Sequence, residues 1–256
     1  MTPADIQKLF ALSGQRAVVT GASRGIGARA AQVLDAAGAS VALIARSEPD
    51  LRDVAATLTN EPLVIVADLG DRSFAARVAG QLEGAWESVD ILVNNAGLAR
   101  PKASLHLTLN DWDNILDINL RAAFSLCQLV GGGMLRRQYG RIINVASVLG
   151  LIGDAWAAPY AASKSGLVGL TRSLGVEWAS AGVTVNALCP GWIETDMVTD
   201  LQKNAEFDTR VTRRTPVHRW GRVDDLDAAL LLLASPNSAF LTGQTIVVDG
   251  GLTAGW

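Results

Sequence analysis

Tyr160 and Lys164 stand four residues apart in PYAASKSGL. On a helix that spacing puts both side chains on one face. An ammonium beside a phenol favours the phenolate and draws the tyrosine pKa down from about 10. Such a tyrosine can pass a proton to or from the oxygen of a carbonyl or an alcohol. Ser147 closes the apolar run RIINVAS, thirteen residues before Tyr160, where its hydroxyl can hydrogen-bond the same oxygen. A lone Y-x-x-x-K is usually a chance pair on a helix. This one gains meaning from what lies upstream.

Near the start of the chain, RAVVT runs into TGASRGIG, residues 20–27. The pattern is G-x-x-x-G-x-G rather than the commoner G-x-G-x-x-G, but the physics is shared. Gly21 permits a tight turn, Gly25 lets backbone approach a diphosphate, and Gly27 lets the following helix, from about residue 26 to 37, pack closely on the sheet. The helix N-terminus then stabilises phosphate charge. An NAD-binding site of this kind carries an acid at the end of the second strand for the ribose 2′-hydroxyl. Here SVALIA ends in Ala45-Arg46-Ser47, and the nearest acid is Glu48. Arg46 and Arg24 can instead meet a 2′-phosphate, which a guanidinium fork fits bidentately. The residues therefore predict NADP(H) over NAD(H).

Such groups need a scaffold that brings distant segments together. Apolar runs occur at 16–20, 40–45, 62–67, 89–93, 141–146, 183–188 and 245–249. They lack polar alternation, as do strands buried on both faces of a parallel sheet. Helical patterns separate them, so the prediction is an α/β, Rossmann-type, doubly wound seven-stranded sheet with helices on both faces. The chain reads as one domain spanning 1–256, with an insertion at about 190–222 that interrupts the rhythm. It follows the 183–188 run, so it emerges at the carboxyl ends of the strands, where such sheets bind ligands.

Composition excludes several classes. The 256 residues carry 22 Lys+Arg against 25 Asp+Glu, which argues against a nucleic-acid binder. Hydrophobic residues make up 49%, ample for a core. Cys127 and Cys189 are too few for a disulfide framework, and with only His106 and His218 no soft-ligand metal site is predicted. No run predicts a signal peptide or a membrane span, so the expectation is a cytoplasmic protein.

Taken together, TGASRGIG, NNAG (94–97), Asn119 in DINL, Ser147, YAASK (160–164) and PGWIET (190–195) resemble the short-chain dehydrogenase/reductase family over nearly the whole chain. The resemblance implies NAD(P)-dependent hydride transfer. It makes Tyr160 the general acid/base, with Lys164 lowering its pKa and binding the nicotinamide ribose. It gives Ser147 the substrate oxygen and Asn119 a relay water. It assigns cofactor contacts to Gly21, Ser23, Arg24, Gly25, Ile26, Gly27, Arg46, Asp68, Leu69, Asn95, Ala96, Gly97, Pro190, Gly191, Ile193 and Thr195, with Asn94 beside them. It also suggests a homotetramer, and the small residues of the Tyr160 helix (Ala161, Ala162, Ser165, Gly166, Val168, Gly169) would suit close helix contact across a two-fold axis.

Leu149, Leu151, Ile152, Trp156, Trp192 and Met197 are the candidate substrate lining. Being mostly apolar, they favour a small-molecule ketone over the 3-oxoacyl thioesters or gluconate 5-dehydrogenase-type sugar acids that similar sequences also suggest. A catalytically silent NADP-binding regulator would be expected to lack Tyr160 or Lys164, and both are present. Trp86, Trp112, Trp178 and Trp220 read as packing. Gly131-Gly132-Gly133 should break its helix or admit a close neighbouring backbone, at about 1 kcal/mol per glycine relative to alanine. Arg136, Arg137 and Arg141 read as charge at a helix end, or as a dock for an acidic carrier protein. The uncharged tail ending in Trp256 is expected to pack at a subunit interface.

Overall fold

Each predicted apolar run becomes a strand, with ends displaced by at most two residues. In the computed structural model, which describes residues 2–255, they are β1 Arg16–Thr20, β2 Ser40–Ala45, β3 Leu63–Val66, β4 Ile91–Asn94, β5 Gly140–Val145, β6 Val183–Pro190 and β7 Thr245–Val248. All pairings are parallel, in the order β3-β2-β1-β4-β5-β6-β7. The order reverses between β1 and β4, which opens a crevice at their carboxyl ends. β1, β4, β5 and β6 are buried along almost their whole length, which explains the absence of polar alternation.

The helices are α1 Pro3–Leu9, α2 Gly25–Ala36, α3 Glu48–Ala55, α4 Phe74–Ala85, α5 Leu109–Leu116, α6 Ala122–Arg137, α7 Ala158–Trp178, α8 Thr199–Gln202, α9 Ala205–Arg214 and α10 Asp227–Ala234. One apolar cluster joins α2, α3 and α10 to one face of the sheet, and a second joins α4, α6 and α7 to the other. The insertion after β6 holds α8 and α9, as expected of that stretch. Among the described residues no helix is long and apolar enough to cross a membrane.

Two expectations are overturned. The triple glycine neither breaks α6 nor meets another backbone. Its cause is an indole: a Cβ on Gly131 would lie 2.8 Å from Cη2 of buried Trp178, on α7. Of the three arginines, Arg136 and Arg137 do stand in the last turn of α6, as charge at a helix end, but Arg141 belongs to β5. Arg141 is 2% exposed, and its guanidinium donates to the carbonyls of Gly140, Gly182, Ser235 and Pro236, with Tyr139 beneath it. It clasps the sheet to the segment after α10 and is unavailable to any docking partner. Arg137 is likewise engaged, by the Val89 carbonyl and Asp90. Within the Tyr160 helix, Val168 points into the core at 3% exposure and drops out of the proposed contact face.

Gly131 and Gly80 should therefore respond in opposite senses. Gly131→Val would overpack Trp178 and is expected to cost about 1–3 kcal/mol. Gly80, inside α4, has open space around a Cβ, so Gly80→Ala should stabilise by about 0.5–1 kcal/mol. Urea midpoints of the two variants check this, and a stable Gly131→Val protein would contradict the packing argument.

Candidate active site

β5 ends at Val145, and the chain crosses Ser147 into a single 3-10 turn before entering α7. A buried polar ladder fixes α7 against the strands. Asn94 Nδ2 donates to Asn144 Oδ1 at 2.9 Å, Asn144 Nδ2 donates to Thr171 Oγ1 at 2.9 Å, and Thr171 donates to the Leu167 carbonyl. Tyr160 and Lys164 thus share the face of α7 turned to the end of β5. The Lys164 ammonium, 3% exposed, donates to the Val145 carbonyl at 2.7 Å and lies 5.7 Å from the Tyr160 ring centre. Burial pulls its pKa down to about 8. Burial also pushes the Tyr160 phenol up, against the downward pull of its hydrogen bond with Ser147. Burial outweighs that hydrogen bond at the phenol.

Asn119 lies in a π-helical turn, Asp117–Arg121, between α5 and α6. Such turns are frequent at functional sites. Its Oδ1 accepts from the Leu98 amide at 2.7 Å, and its Nδ2 donates to the Leu98 carbonyl and to Ser163 Oγ, both at 3.0 Å. Asn119 therefore ties the segment after β4 to α7. A Cβ on Gly97 would make ordinary contact, at 3.6 Å, with both Asn119 Oδ1 and Lys164 Nζ, so the segment after β4 lies beside both side chains.

The glycine loop has the shape its sequence demands. Gly21 and Gly25 take φ of +62° and +55°, and a Cβ on Gly27 would lie 2.2 Å from the Gly21 carbonyl oxygen. Asn95 fastens the loop by donating to the Thr20 and Gly21 carbonyls, while Thr20 Oγ1 accepts from the Asn95 and Ala96 amides. Ser23 and Ile26 are partly buried on the loop, and Arg24 is exposed, 3.8 Å from Asp196. Arg46 is exposed at the end of β2, and the nearest acid, Glu48, is held by Arg52. A positive-φ glycine turn, free amides at a helix start and two arginines without a carboxylate at the end of β2 make a donor set that fits a dinucleotide bearing a 2′-phosphate.

Asp68 is exposed after β3 and accepts from the Gly70 amide. The Leu69 side chain is buried in the core, which leaves its backbone to face a ligand. Pro190 ends β6, and the Gly191 amide donates to the Val248 carbonyl. Ile193 is buried and bridges to Gly221, while Thr195 touches the glycine loop beside Gly25.

At the substrate end the structure sorts the predicted lining. Leu149, Ile152 and Trp192 gather with Tyr160 in one small apolar cluster. Trp156 is 64% exposed and Met197 53%, and Leu151 also faces outward, so these three are not packed into it. Trp192 packs edge-on against Phe207 and Trp220. Asp154, Arg210, Arg214 and Leu252 line the same cleft, and none of them was anticipated. The lining stays mostly apolar, with three charged side chains added to it. Only Arg210 and Arg214 had a sequence signal, their place in the 190–222 insertion. Leu252 was hidden in a tail whose last residue, Trp256, lies outside the described residues.

The family model described as enoyl-(acyl carrier protein) reductase matches residues 21–253. The chain is a short-chain dehydrogenase/reductase. Within the family it is 40% identical over 244 residues to nodulation protein G of Rhizobium meliloti (strain 1021), covering 95% of this chain and 99% of that one. It is 38% identical over 241 residues to a 3-oxoacyl-[acyl-carrier-protein] reductase of Rickettsia bellii (strain RML369-C), covering 94% and 98%. Its fold matches the crystal structure of a gluconate 5-dehydrogenase from Burkholderia cenocepacia J2315 in complex with NADP and tartrate, at TM-score 0.92 and 35% identity, over 98% and 100% of the two chains.

The buried lysine makes a stability prediction. Below pH 8 the folded protein holds a desolvated ammonium, whereas the unfolded chain holds a hydrated one. Between about pH 8 and 10.5 the folded protein releases that proton while the unfolded chain still binds it, so this penalty fades as pH rises. Lys164→Met should therefore raise the Tm of the cofactor-free protein at pH 7, by up to about 3 kcal/mol in stability. The gain should shrink steadily towards pH 10.5. A gain independent of pH would contradict the cause assigned here.

Proposed function

We propose that the protein interconverts a ketone and a secondary alcohol with NADP(H), using Tyr160 as the general acid/base. The observation that carries this reading is the meeting of Ser147, Tyr160 and Lys164 at the end of β5, with Lys164 anchored on the Val145 carbonyl. In reduction, the Tyr160 hydroxyl gives its proton to the carbonyl oxygen; in oxidation, it takes the alcohol proton back. Ser147 donates a hydrogen bond to the same oxygen and holds it in line. The nicotinamide, when bound, supplies the hydride in reduction and accepts it in oxidation. Lys164 would hold the ribose beside it and favour the phenolate by charge. Asn119 would keep a relay water within reach of Lys164. The glycine loop would hold the diphosphate, and Arg24 and Arg46 the 2′-phosphate.

Tyr160→Phe should remove more than 99% of turnover and leave NADPH binding nearly intact, because acid–base help is typically worth 10²–10⁴-fold. Turnover above a tenth of the parent's would sink the assignment. Arg46→Asp combined with Arg24→Ala should shift preference towards NADH by one to two orders of magnitude per lost contact. A parent enzyme already preferring NADH in kcat/KM would contradict the cofactor reading.

We also infer a homotetramer. Leu116, Leu120, Phe124 and Leu170 leave an apolar groove beside Gly166, rimmed by Arg72, Arg121, Asp113 and Asp117. A rim carrying both charge signs is self-complementary across a two-fold axis, so a second copy suits it. Light scattering at micromolar concentration should give the tetramer's mass; a monomer would overturn this.

A further inference from the structure

The cleft behind the Tyr160 cluster, walled by Leu149, Ile152, Trp192 and Leu252, contains a charge arrangement that proton transfer does not use. Asp154, on the segment after the 3-10 turn, holds Arg210 of α9 bidentately, Nη1 to Oδ1 at 3.0 Å and Nη2 to Oδ2 at 3.1 Å. The carboxylate is 14% exposed and the arginine side chain 40%. Phe207 covers one face of the guanidinium at 4.5 Å, and Phe207 itself packs on Trp192. Arg210 is thus held rigid, while three of its five N–H donors are not bound by Asp154. Arg214 lies one turn further along α9, on the same face, and lines the same cleft. Among the described residues no carboxylate lies within 4.0 Å of Arg214.

Two guanidiniums and one carboxylate leave this cleft with a net positive charge, and the cleft shares Leu149, Ile152, Trp192 and Leu252 with the cluster against which Tyr160 packs. A neutral ketone would leave that charge unanswered. A carboxylate on the substrate would answer it, and the planar fork of arginine suits a carboxylate. We propose that Arg210 and Arg214 are specificity-determining residues that bind a carboxylate of the substrate, so that the enzyme acts on small oxo acids and hydroxy acids. This deepens the ketone–alcohol reading and rests on it. Asp154 is then a positioning residue: it aims Arg210 and keeps the pair from collapsing onto the substrate's reacting oxygen. The phosphate of a carrier-bound thioester is a rival anion for the same donors.

The test is binding and turnover by the NADP-loaded protein with matched probes. Gluconate against sorbitol and tartrate against threitol, followed by titration calorimetry, compare acid with neutral partner. Acetoacetate, methyl acetoacetate, acetoacetyl-N-acetylcysteamine and acetoacetyl coenzyme A compare carboxylate, neutral ester, neutral thioester and phosphate-bearing thioester in turnover. At least one acid should bind tenfold or more tightly than its neutral partner. Arg214→Gln should abolish that preference while leaving methyl acetoacetate kinetics within about twofold. Arg210→Lys should keep part of it, and the pair Asp154→Asn with Arg210→Gln, which leaves no charge unpaired, should remove it. No acid preference in any pair, a preference untouched by Arg214→Gln, or a selective loss only for acetoacetyl coenzyme A would each overturn the proposal. Loss of all turnover with the acid preference intact would instead strike the ketone–alcohol reading.

Discussion

A single ammonium, desolvated at the end of β5, constrains everything around it. Burying Lys164 costs free energy that its one hydrogen bond to the Val145 carbonyl only partly offsets. The fold tolerates that cost because α7 cannot slide away. The Asn94–Asn144–Thr171 ladder pins the helix through two central strands, and Asn119 pins it again from the π-helical turn through Ser163. Charge is held where the local sequence would not keep it, and such stored cost is typical of sites that must meet a reactant already organised.

The cofactor half follows the opposite logic. It is assembled from short contiguous motifs whose backbone geometry is dictated by glycine. The turn at Gly21 and the close approach at Gly27 leave no room for any other residue. Asn95 then locks that turn to the end of β4, across the point where the strand order reverses. β4 pairs with β5, the strand that leads to α7, so one asparagine ties the glycine loop to that strand's neighbour.

This division explains what could be read from the sequence. The strands were legible because a parallel sheet buried on both faces produces uninterrupted apolar runs, and the seven runs map onto the seven strands. Ser147, Tyr160, Lys164 and the glycine loop were legible because each lies within a motif of fixed spacing. The triple glycine misled because intrinsic propensity says nothing of Trp178, forty-seven residues further along the chain, whose ring needs the space. Charge proximity was visible in the spacing of Tyr160 and Lys164, while their desolvation was not, because spacing says nothing of burial. The direction of the Leu69 side chain, into the core, was not legible in its motif.

The substrate end was the least legible part because no contiguous segment builds it. Its walls come from 149–154, 192–214 and Leu252, which meet only in three dimensions. The tail holds them together. Asp249 accepts from the Gly251 and Thr253 amides and from the Thr253 hydroxyl, which turns the chain back so that Leu252 enters the cluster beside Leu149. Gly191 sits against Asp249, and Gly250 and Gly251 sit against Thr215, Val217 and Pro216. The tail is therefore packed between the two ends of the same insertion. A shift of α9, which carries Arg210 and Arg214, must be felt at Leu252, and a shift of the tail must be felt at Trp192. Tyr160 packs against the same cluster as Leu252 and Trp192, so this long-range unit and the face of α7 that carries Lys164 are joined through one set of apolar contacts.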